Sequence, residues 1–300
     1  MRKNKAFVLL LLLSLLLSIT SCVTPLGVED GLGSSAPETT DKDAPGTGSA
    51  SRPTVSDGVE ATYTYNAAID EAVLDTGYDA RYLMLVNRTN PLGSDYKPQG
   101  LVRLTCHTTY TMELESRAAA ALYQMLLEMS ADGIDVVGDV AVTSAYRSYR
   151  LQEELFSDYL DYELNYPGGF SPDAYAVLGY DYIQQEYKNK GIAHLSEEDV
   201  LRVVSSYSAR AGESEHQAGL CIDFITEDMK NQLTVDFEKK PVFAWLSKYA
   251  HTFGFIMRYP KDKEEITGYI YEPWHYRFVG REAATEIYEC SIALEEYLGS

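Results

Sequence analysis

The chain has 300 residues, 45 of them acidic and 25 basic, for a formal charge of −20. A surface that acidic repels nucleic acid and anionic lipid headgroups, and no basic patch with interleaved aromatics counters it, so nucleic-acid binding is excluded. The length supports one substantial core with room for an insertion.

The amino terminus carries Arg2, Lys3 and Lys5, followed by an apolar run over 6–19. A basic segment before a short apolar one is the pattern of an export signal, and the run is shorter than the roughly 18 apolar residues that a bilayer crossing wants. It ends in Ile19-Thr20-Ser21-Cys22, small residues before a cysteine, as at a lipoprotein cleavage site. The expectation is a lipoprotein signal peptide over 1–21, with Cys22 lipidated as the new first residue and the protein held on the outer face of a bacterial membrane. An ordinary secretory signal and a retained membrane anchor are the alternatives. Residues 22–60 contain no aromatic and are rich in Gly, Ser, Thr, Pro and acids. Such a stretch cannot bury enough apolar surface to offset its ordering entropy, so it reads as a disordered acidic tether.

A folded domain is expected over 61–300. Ala, Leu, Glu and Met at helical spacing predict a helix over 112–129, stopped by Ala131-Asp132-Gly133. Residues 135–143 read as a strand running into Ser144. Helical patterns follow over 149–166 and 171–190, a tyrosine-rich elaboration around 156–190, and Ser196 with three acids after it starts another. The segment 219–225 alternates as a strand, 241–250 is a helix with Pro241 in its first turn, and strands are expected over 253–259, 266–271 and 275–279. A terminal helix spans 281–298. Helices followed by closely spaced strands indicate an α+β fold, a small antiparallel sheet packed with helices. Beyond Cys22 the cysteines are Cys106, Cys221 and Cys290, too few and too dispersed for a disulfide framework, though one pair is left open.

Two segments carry the chemistry. The first is Ser214-Glu215-His216-Gln217-Ala218-Gly219-Leu220-Cys221-Ile222-Asp223, and the second is Glu272-Pro273-Trp274-His275. His216, Asp223 and His275 are nitrogen and oxygen donors of the kind a catalytic Zn²⁺ takes, three at a time with one position left open. Other divalent ions accept the same donor types. Singly, each has a plainer reading: His216 a loop histidine, Asp223 a strand-end acid, His275 a packed ring. Together they weigh more, because the chain holds only five histidines. Gly219, between two candidate ligands, suggests a close backbone approach. Glu272 lies three residues before His275, across a proline whose bend can aim both side chains into one cleft. It is the candidate general base. Cys221 is expected to be a buried strand residue without sulfur ligation.

These segments resemble the VanY-type D-alanyl-D-alanine carboxypeptidases, a family of zinc metallopeptidases, over roughly residues 80–280. Ser214-x-His216-x-x-Gly219-x-x-x-Asp223 and Glu272-x-Trp274-His275 match the family's two zinc segments. Ser144-Ala145-Tyr146-Arg147-Ser148-Tyr149-Arg150-Leu151-Gln152 and Leu85-Val86-Asn87-Arg88-Thr89-Asn90-Pro91-Leu92 fit as well, as do Gly254-Phe255 and Arg258-Tyr259 between the zinc segments. The resemblance implies a zinc D-Ala-D-Ala carboxypeptidase-like core, with Zn²⁺ on His216, Asp223 and His275 and Glu272 as base. It also implies that Arg147 contacts substrate or stabilises developing charge. A guanidinium can clamp a terminal carboxylate or sit beside an oxyanion, and both roles remain open. Ser148, Gln152 and Ser214 are candidates for substrate hydrogen bonds.

The implied activity is removal of the terminal D-alanine from peptidoglycan stem peptides outside the cell. Alternatives are L,D-carboxypeptidase or endopeptidase action on the same peptides, a non-catalytic wall-binding lipoprotein, and hydrolysis of an unrelated amide. Three departures stand out. Cys221 occupies a place where a small apolar residue is usual, Ala209-Arg210-Ala211-Gly212 lacks a proline often found before that glycine, and the tyrosine-rich stretch is longer than a minimal core. The oligomeric state is not legible.

Overall fold

The computed structural model describes residues 71–230 and 232–299. The expected signal, Cys22, the tether and residues 61–70 lie outside the described residues. In chain order the elements are α1 (Glu71–Leu74), β1 (Leu101–Arg103), β2 (Glu113–Glu115), α2 (Ser116–Ala131), β3 (Val140–Ser144) and α3 (Tyr149–Leu164). Then come α4 (Pro172–Leu178), α5 (Tyr180–Glu186), α6 (Glu197–Tyr207), β4 (Cys221–Thr226), α7 (Pro241–Tyr249) and β5 (Phe255–Met257). The chain finishes with α8 (Glu264–Thr267), β6 (His275–Phe278), α9 (Arg281–Cys290) and α10 (Leu294–Leu298).

The main sheet has four strands in the order β3-β4-β6-β5, every neighbouring pair antiparallel, and β1 and β2 form a separate two-stranded ladder. This is the α+β architecture expected. Helix α2 packs on the sheet: Ala118, Ala119, Ala121 and Leu122 share one core with Ile222, Phe224, Tyr276 and Phe278. It begins later than 112 because residues 113–115 pair with β1, and because the Glu115 carboxylate caps it, accepting from the N–H groups of Arg117 at 2.9 Å and Ala118 at 3.1 Å. Helices α3 to α6 gather a second core of their own, with Phe156, Phe170, Ile183, Tyr187, Val203 and Val204 at its centre. The tyrosine-rich elaboration therefore packs together with α6.

Three expectations fail for backbone reasons. Residues 266–271 form no strand: α8 ends at Gly268 in the left-handed region (φ 79°), and the N–H of Ile270 donates to Ser206 O at 3.2 Å, which ties the segment to α6 and not to the sheet. The helical pattern over 171–190 breaks at Gly179 (φ 86°). The terminal helix stops at Ser291 (φ 54°) and restarts as α10. Cys106, Cys221 and Cys290 form no disulfide.

Two arginines, Arg258 and Arg277, are fully buried. Glu215 Oε1 accepts from Arg258 Nε at 2.9 Å and Arg277 Nη1 at 2.6 Å, while Arg258 also donates to both Glu295 oxygens at 2.8 and 2.5 Å. Arg277 Nη2 donates to the carbonyls of Tyr82 at 3.1 Å and Met84 at 2.8 Å. The network joins β6, the end of β5, α10 and the turn before β4. Removing one member leaves buried charge uncompensated, so Arg277→Met should lower unfolding stability by about 3–5 kcal/mol in urea titration. A loss below about 1 kcal/mol would show the network to be dispensable.

Candidate metal centre

The two chemical segments meet across one strand pair. In the β4–β6 ladder Asp223 stands directly opposite His275. Alternation along β4 sends Ile222 and Phe224 into the main core and Asp223 to the other face. Between β3 and β4 the register slips at 142/144, so that Ser144 faces Asp223. His216 enters from the 3₁₀ turn Glu215–Ala218, which ends at Gly219 with φ 67°. A Cβ at Gly219 would lie 3.0 Å from Pro98 Cγ and 3.1 Å from Leu101 Cδ2. The close approach expected there is thus to a neighbouring loop and β1. Glu272 and His275 share a tight turn, the N–H of His275 donating to Glu272 O at 3.2 Å, and the bend brings both side chains to one side.

The Asp223 carboxylate touches both imidazoles: Oδ1 is 2.9 Å from His275 Nδ1 and Oδ2 is 3.2 Å from His216 Nε2. The rings cross nearly at right angles with centroids 5.1 Å apart. His216 Nδ1 lies 2.6 Å from Ala145 O. A carbonyl only accepts, so Nδ1 carries the proton and Nε2 presents its lone pair to the site. Burial works against ionising Asp223, but His216 and His275 outweigh it and hold the carboxyl well below the usual range. Glu272 Oε2 stands 3.7 Å from His275 Nδ1. Burial, partly offset by His275, pushes the Glu272 carboxyl up to about 7.

Cys221 is buried, as expected, and its thiol also stands in the cluster, which the sequence reading did not anticipate. Donor atoms of His216, Cys221 and His275 all lie within 4.8 Å of one another. The signal was present in sequence, because residues 221 and 223 share a strand face. Nitrogen, carboxylate oxygen and sulfur are the donors zinc takes. Two imidazoles, a carboxylate and a thiol gathered this closely in a buried place are costly unless a shared cation or proton joins them. The residues fit Zn²⁺, and zinc is the cofactor of this centre.

The centre opens into a cleft of about 290 Å³ that Arg147, Ser214, Glu272 and Trp274 help to line. Arg147 is fixed through its backbone, whose N–H donates to His216 O at 3.1 Å, and its Nε is buried without a hydrogen-bond partner. Ser214 accepts from the N–H of His216 at 3.3 Å. Ser148 and Gln152 are not among the lining residues: Ser148 caps α3, and Gln152 Nε2 donates to Ala209 O at 2.7 Å. The tyrosine-rich elaboration contributes the far wall, whose individual residues the sequence did not single out. Leu155 and Tyr159, one helical turn apart on α3, face the cleft together with Tyr207 of α6 and with Tyr259 and Tyr269. The Leu155/Tyr159 spacing was a usable signal for one exposed helical face.

The family model of VanY, D-alanyl-D-alanine carboxypeptidase, matches residues 111–281. The chain belongs to the VanY family. A D-alanyl-D-alanine carboxypeptidase of Enterococcus faecalis is 32% identical over 218 residues, 73% of this chain and 66% of the relative's length. The chain thus spans just under two thirds of that relative. Among solved structures, the vancomycin-resistance D,D-pentapeptidase VanY in complex with Zn(II) is 33% identical, with a TM-score of 0.52 over 73% of this chain and 99% of the other. The LdcB LD-carboxypeptidase is 30% identical, with a TM-score of 0.53 over 72% of this chain and 84% of the other. The antiparallel sheet, its covering helices and the paired histidines are this chain's form of the VanY core.

The raised Glu272 carboxyl has a consequence for the metal-free protein. The folded state holds its proton up to about 7, against 4.5 for the free side chain, so folding binds a proton and stability falls as pH rises between those values. Glu272→Gln removes that cost. In metal-free protein at about pH 8 it should raise stability by on the order of 2–3 kcal/mol, with no gain near pH 4. Equal melting temperatures for the two proteins at the higher pH would rule out the burial argument.

Proposed function

We propose that the chain is a zinc-dependent D,D-carboxypeptidase that removes the terminal D-alanine from peptidoglycan stem peptides. The observation that carries it is Glu272: a buried carboxyl group, its proton affinity raised by burial, 3.7 Å from the metal-facing nitrogen of His275 and in one cleft with Arg147. A wall-binding protein without turnover has no use for such a group.

In this reading His216 through Nε2, Asp223, and His275 through Nδ1 hold the ion. Bound zinc supplies Lewis acidity and brings the pKa of a water towards neutrality. Glu272 takes the proton from the attacking water and passes it to the departing amine, a transfer for which a carboxyl group in the same cleft as the metal set is placed. Arg147, with a buried Nε that nothing else engages, offers its fork to the substrate's terminal carboxylate. Ser214 lies on the wall beside His216, and its backbone position is fixed by the turn that carries that ligand. Trp274 and the tyrosines of α3 and α6 line the path of the peptide, keeping water from the reacting bond.

Place supports the reading. A basic-then-apolar amino terminus ending before Cys22 suits export and lipid anchoring, which puts the domain beside the wall polymer. No helix among the described residues is long and apolar enough to cross a membrane.

Two measurements test this. Incubation with pentapeptide and tetrapeptide stems, read by mass, should release D-alanine from the pentapeptide. Trimming of the tetrapeptide alone would give the enzyme to the L,D class, the activity named for LdcB. Glu272→Ala should cut turnover by about 10²–10⁴-fold while the protein still binds one zinc. Undiminished turnover would remove Glu272 from the mechanism.

A further inference from the structure

Two buried polar atoms face one another behind the His275 ring, and each lacks a partner. Glu215 is 1% exposed and His275 4%. Glu215 Oε1 is engaged by Arg258 and Arg277, whereas Oε2 makes no hydrogen bond. His275 Nε2 makes none either, and the two atoms lie 4.0 Å apart. One is an acceptor and the other can be a donor, and leaving both unmet in a buried place is costly.

We infer that Glu215 is a positioning residue: its Oε2 accepts the Nε2 proton of His275 and so holds the imidazole with Nδ1 turned to the metal. The inference rests on the zinc reading of the site. The Nδ1 side of the ring faces Asp223 at 2.9 Å and Glu272 at 3.7 Å. A neutral imidazole that gives Nδ1 to an ion must carry its proton on Nε2, where it needs an acceptor. Glu215 Oε2 is the carboxylate oxygen on that side, and an approach of roughly 1 Å makes the bond. Metal-bound imidazoles are oriented in general by such an outer acceptor.

What makes this one rigid is its anchoring. Glu215 sits beside His216 in the same 3₁₀ turn, so one short segment supplies a ligand through residue 216 and orients another through residue 215. Its carboxylate is clamped by Arg277, two residues beyond His275 on β6, and by Arg258 at the end of β5. Arg258 is in turn bridged to Glu295 of α10. That outer bridge holds α10 to Arg258, while Arg277 clamps the Glu215 carboxylate independently of it. Seen alone, this network is a structural device; the unbonded Oε2 aimed at His275 adds a second role.

Zinc affinity and the tautomer of His275 test the inference without substrate. Glu215→Gln, measured by competition with a chelator, should bind zinc about 10–100-fold more weakly, because an amide cannot both accept from the arginines and accept from Nε2–H. Glu295→Gln loosens the same network at Arg258 and should lower stability while leaving zinc affinity unchanged. In the zinc-loaded wild-type protein, long-range nitrogen–proton correlation spectra should show His275 protonated at Nε2. A downfield-shifted, slowly exchanging Nε2 proton in that spectrum reports the buried carboxylate acceptor even where Glu215→Gln fails to fold, and a solvent-like, rapidly exchanging one overturns the proposal. Wild-type zinc affinity in Glu215→Gln, equal weakening in both variants, or a His275 with its proton on Nδ1 would each overturn the proposal. Zinc-loaded protein that hydrolyses no stem peptide would overturn the proposed function and leave these readouts standing.

Discussion

Everything at the centre turns on one buried carboxylate held between two imidazoles. Asp223 lies on a strand buried along its whole length, in surroundings that disfavour charge. It remains ionised because His216 and His275 stand on either side of it, within 3.2 Å and 2.9 Å. Removing both rings would leave an unpaired buried anion, and removing the anion would leave two buried rings with no shared partner. The three groups are thus stable there only as a set, and a divalent cation among them replaces proton-mediated contacts with direct ones. The antiparallel pairing of β4 with β6 makes this possible by setting residue 223 opposite residue 275.

The same logic extends outward. Glu215, Arg258, Arg277 and Glu295 are polar groups sealed in the fold, each offsetting the desolvation of another. Replacing them with apolar residues of equal volume could stabilise the fold, so their value lies elsewhere. Glu215 with Arg258 and Arg277 fixes the direction in which the turn before β4 and the strand β6 present their histidines, and Glu295 seals the outer side of Arg258. The helical elaboration works differently. It carries its own apolar core and contributes Leu155, Tyr159 and Tyr207 to the cleft wall, so it shapes what enters without touching the metal set.

Much of this was legible in sequence. That the two segments meet, with Glu272 in the same cleft, could be read from residue types and spacing, and the strands β4 and β6 from alternation and turn chemistry. What failed did so where tertiary contact overrides local pattern. Residues 266–271 look like a strand, but a left-handed Gly268 and a hydrogen bond to Ser206 place them elsewhere. Ser291 adopts a positive φ that no residue type announced, and so divides the last helix. Ser148 and Gln152 seemed free to bind substrate, yet the fold uses one as a cap and the other as a brace for Ala209. Cys221 was visible on the face shared with Asp223, but only three-dimensional packing shows its sulfur beside both rings. Glu215 carried no signal of its own in the sequence beyond its place next to His216. Its importance depends on two arginines more than forty residues away, a relation no local pattern encodes.

The most direct test of the central claim is the anomalous scattering of zinc in crystals of the loaded protein. The account predicts one strong peak at about 2.0–2.2 Å from His216 Nε2, an Asp223 carboxylate oxygen and His275 Nδ1. A peak bound elsewhere, or none in protein shown to be folded, would contradict it.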